Sequence, residues 1–81
     1  MRVTVRLFAR LREIVGTDEV VRPIATSSTV ADVWQAMTTE WPALVPYAGS
    51  LSCGVNAQYA RMTTPVNDGD EVAFLPPVSG G

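Results

Sequence analysis

Only one stretch of this chain carries helical periodicity over three turns, and that limits the folds open to it. From Thr29 to about Trp41, the apolar residues Val30, Val33, Trp34, Met37 and Trp41 recur at i, i+3, i+4, i+7 and i+11, on a single helix face. Thr29 followed by Asp32 resembles a capping box with Asp in the usual Glu place, and Pro42 ends the helix. A lone amphipathic helix must bury its stripe against a sheet when the rest of the chain reads as strands.

The rest does read as strands. Over Arg2 to Phe8, Val3, Val5 and Leu7 alternate with Arg2, Thr4, Arg6 and Phe8, so one face is buried and Phe8 points away from the core. Leu11, Ile14 and Val15 precede Gly16, which predicts a short helix with a glycine cap. Glu19 to Ile24 follows as a second strand, expected to pair antiparallel with the first at the sheet centre. Pro42 to Ser50 predicts an irregular connection that packs Leu44, Val45 and Tyr47. Leu51 to Val55 and Gln58 to Met62 predict short strands around an Asn56-Ala57 turn. Asn67, Asp68 and Gly69 turn the chain into a last strand, Asp70 to Leu75. The expected architecture is α+β, a sheet wrapped around one main helix.

At 81 residues the chain has room for one domain, and a domain of this size buries only about 60% of its unfolded surface. Six arginines against eight acids give a net charge of −2, which argues against nucleic acid or an anionic membrane as the main partner. There is no histidine and no lysine, so the imidazole base, the Schiff-base amine and the phosphate-loop lysine are all missing. A self-contained enzyme is not expected.

A lone cysteine, Cys53, excludes an intrachain disulfide and a multi-cysteine zinc site, and fits a reducing, cytoplasmic setting. With apolar Leu51 and Val55 on its side of the strand and no histidine to activate it, Cys53 reads as an inert buried thiol. Asp68, Asp70 and Glu71 read as a solvated turn, too few for a calcium loop, and no metal site is expected. Trp34 and Trp41 read as core packing.

The C-terminus is the feature that asks for another explanation. Two prolines, Pro76 and Pro77, directly follow the last strand, end its pairing and send Val78, Ser79, Gly80 and Gly81 outward. From Pro77 to Gly81 an extended chain reaches roughly 15 to 18 Å, and the two terminal glycines have no Cβ to obstruct a narrow channel. Residues 76–81 are thus expected to form a flexible tail that presents its carboxylate inside another protein.

The run from Asn67 to Gly81, with its Phe74-Leu75-Pro76-Pro77-Val78-Ser79-Gly80-Gly81 ending, resembles the small, sulfur-carrier subunit of molybdopterin synthase, the MoaD family. The Val5-Arg6-Leu7-Phe8-Ala9 strand, Leu11 to Gly16, Thr29-Val30 and Val55-Asn56 fit the same pattern; Leu75 departs from it, standing where an aromatic residue is frequent. The resemblance implies a β-grasp, ubiquitin-like fold over residues 1–81. It implies that an ATP-dependent adenylating enzyme of the MoeB kind activates Gly81, and that a sulfurtransferase system supplies sulfur to give a thiocarboxylate. It further implies that the tail enters the large synthase subunit, in a heterotetramer of two small and two large chains, where cyclic pyranopterin monophosphate becomes molybdopterin. This chain would bind no cofactor itself, ATP being used by the activating partner. The Gly-Gly ending is shared with ubiquitin-like protein modifiers and with sulfur carriers for thiamine or cysteine synthesis, which stand as alternatives.

Strand alternation places Phe8 and Leu75 together on the face opposite Val5, Leu7, Val72 and Phe74, and exposed apolar residues on one sheet face mark a partner. By the resemblance Tyr59 joins them. Arg12 is expected as a polar contact at the rim.

Overall fold

The computed structural model describes residues 1–77. Val78, Ser79, Gly80 and Gly81, the distal part of the expected tail, lie outside the described residues.

In chain order the elements are β1 (Arg2–Leu7), α1 (Ala9–Val15), β2 (Glu19–Pro23), α2 (Val30–Glu40), a 3-10 helix (Pro42–Ser50), β3 (Ser52–Val55), β4 (Gln58–Ala60) and β5 (Glu71–Leu75). The five strands form one mixed sheet in the order β2-β1-β5-β3-β4, with β1 and β5 parallel and the other pairs antiparallel. This sheet wraps α2, giving the α+β, β-grasp architecture that the resemblance implied.

The core forms where the two periodicities meet. Val3, Val5 and Leu7 of β1 and Val72 and Phe74 of β5 point inward against Val30, Val33, Trp34 and Met37 of α2, all buried. Trp34 and Phe74 meet as a tilted aromatic pair, ring centres 4.9 Å apart, a geometry favoured by the ring quadrupoles. At the start of α2 the Thr29 backbone N–H donates to Asp32 Oδ2 at 2.8 Å, and the Thr29 hydroxyl reaches the same carboxylate at 3.2 Å. Asp32 therefore fills the Glu position of the capping box. Gly16 closes α1 at φ +89°, its N–H donating to the Arg12 carbonyl at 2.8 Å.

Three expectations are corrected. β2 pairs antiparallel with β1 but forms an edge, because the parallel strand β5 occupies the other side of β1 and takes the centre. The 42–50 connection is a 3-10 helix; it buries Leu44 and half-buries Tyr47, while Val45 is exposed. Strand β4 ends at Ala60 because a turn closes behind it: the Arg61 N–H donates to Thr64 Oγ1 at 2.9 Å and the Thr64 N–H to the Arg61 carbonyl at 3.0 Å. Trp41, the C-cap of α2, packs against the core as expected; it is half-buried and covered by Arg22, whose guanidinium carbon stands 5.3 Å from the ring centre.

That arginine also blunts the β2 edge. It donates to both Glu40 carboxylate oxygens at 2.7 and 2.6 Å and to the Val21 carbonyl at 2.8 Å, while Pro23 offers no N–H. An edge with a capped carbonyl and a missing donor is a poor template for another strand. No helix among the described residues is long and apolar enough to cross a membrane.

Candidate functional site

Phe8 is the N-cap of α1 in extended backbone, one residue past the end of β1, and not a member of the strand. It still faces outward, as the alternation required, and is 39% exposed. Leu75 is the last residue of β5, 37% exposed, and Tyr59, in the middle of β4, is 96% exposed. All three line one shallow hollow of about 220 Å³ on the outer sheet face.

Strand register explains why there is a hollow. Across the outer face, Glu19 of β2 pairs with Arg6 of β1, Arg6 with Ala73 of β5, Ala73 with Gly54 of β3, and Gly54 with Tyr59 of β4. The two smallest side chains thus lie side by side at the sheet centre, between Arg6 and Tyr59. A Cβ on Gly54 would come within 3.3 Å of the Gln58 carbonyl oxygen, so the strands here approach too closely for a larger residue without a shift. Gly54 and Ala73 shape the floor, and the sequence reading passed over both. The signal was present as two small residues in neighbouring strands, but it becomes visible only once the β3–β5 register is known.

Phe8 and Leu75 also line a second, larger groove of about 520 Å³, whose other walls are Ala9, Arg10, Tyr47, Pro76 and Pro77. The tail therefore leaves the domain beside the apolar patch. Arg10 donates to Glu13 Oε2 at 3.0 Å, both side chains being well exposed. The Glu13 carboxylate, and after it the Tyr47 hydroxyl, hold the Arg10 guanidinium above its ordinary pKa. Arg12, the expected rim contact, is exposed in the last turn of α1 and lines neither hollow. A seven-residue helix turns neighbouring side chains to different sides, and it is Arg10 that faces the tail exit.

Arg6 stands at the other rim. It lies between Glu19 at 3.8 Å and Glu71 at 3.7 Å, and 6.0 Å from the Phe8 ring centre. A separate concavity of about 820 Å³, lined in part by Met1, Ser27, Thr29, Asn67 and Asp68, shares no lining residue with the other two.

Cys53 sits on the inner face, paired in register with Phe74, and burial pushes its thiol above the ordinary value. A neutral, shielded thiol is a poor nucleophile. Asp70 is spent on local structure: it accepts from Asn56 Nδ2 at 2.9 Å and from the Asn67 N–H at 2.7 Å. Asp68 accepts from the Arg2 N–H at 2.8 Å. Among the described residues no group of three or more Asp, Glu, His or Cys side chains is placed to hold a metal ion. What the surface offers is an exposed apolar face whose edge is the root of the tail.

Comparison with known proteins agrees with this geometry. A family model described as the ThiS family matches residues 5–81. The molybdopterin synthase sulfur carrier subunit of Escherichia coli is 41% identical over 81 residues, covering 98% of this chain and 99% of that protein. Among solved structures, SAMP1 of Haloferax volcanii, a small archaeal modifier protein, superposes with a TM-score of 0.88 at 30% identity, each chain fully covered. The complex of subunits 1 and 2 of the molybdopterin-converting factor from Helicobacter pylori contains a chain with a TM-score of 0.69 at 26% identity, again covering both chains in full.

Proposed function

Because the chain belongs to the ThiS family, we propose that it is a sulfur carrier for molybdenum cofactor synthesis, with the Gly81 carboxyl group as the carrying site. The observation that supports this most directly is the shared position of Phe8 and Leu75, which line both the docking hollow and the groove at the root of the tail. A protein seated on the patch stands where it can receive residues 78–81.

The chemistry follows from the carboxylate. A terminal carboxyl group of pKa about 3.3 is ionised at neutral pH and resists nucleophiles, so it needs activation. In the proposed cycle an adenylating partner lets the Gly81 carboxylate attack the α-phosphate of ATP, releasing pyrophosphate and forming an acyl-adenylate. The terminal sulfur of a sulfurtransferase persulfide then attacks the acyl carbon and displaces AMP, which carries away one carboxylate oxygen; a thiol cleaves the resulting acyl disulfide, forming a disulfide with the sulfurtransferase cysteine, and a thiocarboxylate remains. The tail next enters the large subunit of molybdopterin synthase, whose own groups perform the proton transfers as sulfur passes to the pterin precursor. With no histidine or lysine, this chain contributes the sulfur and the docking face. It binds no cofactor of its own, ATP being used on the partner, and it works in the cytoplasm, in an assembly of two small and two large subunits.

Intact-mass spectrometry after incubation with the adenylating enzyme, ATP and a sulfur source tests the central step. The expected product has one oxygen of Gly81 replaced by sulfur. Deletion of Gly81 removes that product and leaves the melting temperature unchanged, and a deletion variant that still supports molybdopterin synthesis overturns the reading.

A second reading rests on the likeness to SAMP1. Adenylation of Gly81 followed by attack of a lysine amine from another protein would give an isopeptide conjugate in place of a thiocarboxylate. Gly81-dependent conjugates in cell extract distinguish this outcome.

A further inference from the structure

The groove at the root of the tail has a chemistry distinct from that of the hollow. Its apolar walls are Phe8, Leu75, Pro76 and Pro77, and Arg10 with the half-buried Tyr47 makes it amphipathic. Pro77 lies in the wall, and Gly81 stands four residues after it. At about 3.3 Å per extended residue those four span roughly 13 Å. On the reading that Gly81 carries the sulfur, a protein that engages it therefore lies within roughly 13 Å of this groove.

The geometry points to the groove as a second contact area, occupied by a carboxylate-bearing segment of the protein that receives the tail, with Arg10 as its ionic contact and Tyr47 as its aromatic wall. This rests on the docking reading above and extends it to residues outside the sheet face.

The charge argument favours an acid as occupant. Among the described residues Arg10 is the only ionisable side chain in the groove wall apart from the Tyr47 phenol, and its ion pair runs to the exposed Glu13. A surface pair at i, i+3 contributes little, so turning the guanidinium toward a partner carboxylate costs little. Burial of the groove beneath a partner would strengthen that new pair, because solvent and salt screen it less. Tyr47 suits the role through its broad, amphipathic ring with few rotamers to restrict. Phe8 and Leu75 make the surface continuous, since each contributes to both concavities.

Titration calorimetry of the full chain against the molybdopterin synthase large subunit from the same genome tests this at low and at moderate salt. Arg10→Gln is expected to weaken binding about threefold and Arg10→Glu about tenfold, with a shallower salt dependence than the wild type for Arg10→Gln. Tyr47→Ala is expected to weaken it about fivefold. Arg2→Glu makes the same charge change at the far end of β1 and should stay within about twofold; circular dichroism and melting of every variant verify the fold. Equal effects of Arg10→Glu and Arg2→Glu overturn the groove contact, because they reveal a general charge effect. Loss of binding in Phe8→Asp with no change in Arg10→Glu and Tyr47→Ala overturns the groove and leaves the docking face standing. No change in any of the three overturns both.

Discussion

Leu7 and Phe8 are neighbours in the chain with opposite surroundings: Leu7 is 1% exposed in the core, whereas Phe8 is 39% exposed beside the hollow. Phe74 and Leu75 repeat the contrast on β5, at 0% and 37%. Substitution by Asp should separate the two classes. At Leu7 or Phe74 it removes roughly 2 to 3 kcal/mol of apolar burial and leaves a carboxylate without a partner inside the core, a combined cost of more than about 4 kcal/mol. A small domain does not withstand that, and both variants should be unfolded by circular dichroism at 25 °C. At Phe8 or Leu75 the cost to stability should stay near 1 kcal/mol, because the side chains already contact water. Binding to the large subunit should weaken there by about 2 to 4 kcal/mol, roughly 30- to 1,000-fold, as the patch loses contact and acquires a charge. If Phe8→Asp unfolds the chain while Leu7→Asp does not, the outward face has been assigned to the wrong set of residues.

At the scale of elements, the β3–β4 hairpin turns through Asn56 and Ala57 at φ +51° and +68°. Two residues with positive φ between paired strands match the twist of a hairpin, but only the first position holds a residue that tolerates it well. Ala57→Gly should raise stability by about 0.5 kcal/mol, relief of the left-handed strain exceeding the added freedom of the unfolded chain; the urea midpoint measures it. This turn was legible in the sequence, as were α2 with its Asp32 cap, α1 with Gly16, and the inward faces of β1 and β5, because each is written in local periodicity or local turn chemistry. The parallel β1–β5 pairing was not, since it joins segments more than sixty residues apart with no local signal. The 3-10 helix at 42–50 was missed because two prolines and a glycine read as irregular chain, and so Tyr47 was not placed beside the tail. Phe8, Tyr59 and Leu75 were reached by alternation and resemblance, whereas Gly54, Ala73 and Arg10 needed register and helix phase.

The chain has no histidine, and its one cysteine is buried. Its stability should therefore form a plateau between two arms. Arg22, hydrogen-bonded to Glu40, holds that carboxyl below its ordinary value of 4.5. A depressed acid stabilises the fold above the unfolded value and loses that contribution as pH falls through the folded one, so the acid arm lies below about pH 4.5. Burial raises the Cys53 thiol above its ordinary 9.0. Here the sign reverses: below that value both states hold the proton, while above it only the unfolded chain releases one, so stability falls as pH climbs past about 9. Urea midpoints measured across this range should be level from about pH 5 to 8 and decline on both sides. Cys53→Ala, which removes the thiol at the cost of a small cavity, should lower the plateau by about 1 kcal/mol and flatten the alkaline arm. An alkaline arm of unchanged slope in that variant would place its origin in a group other than Cys53.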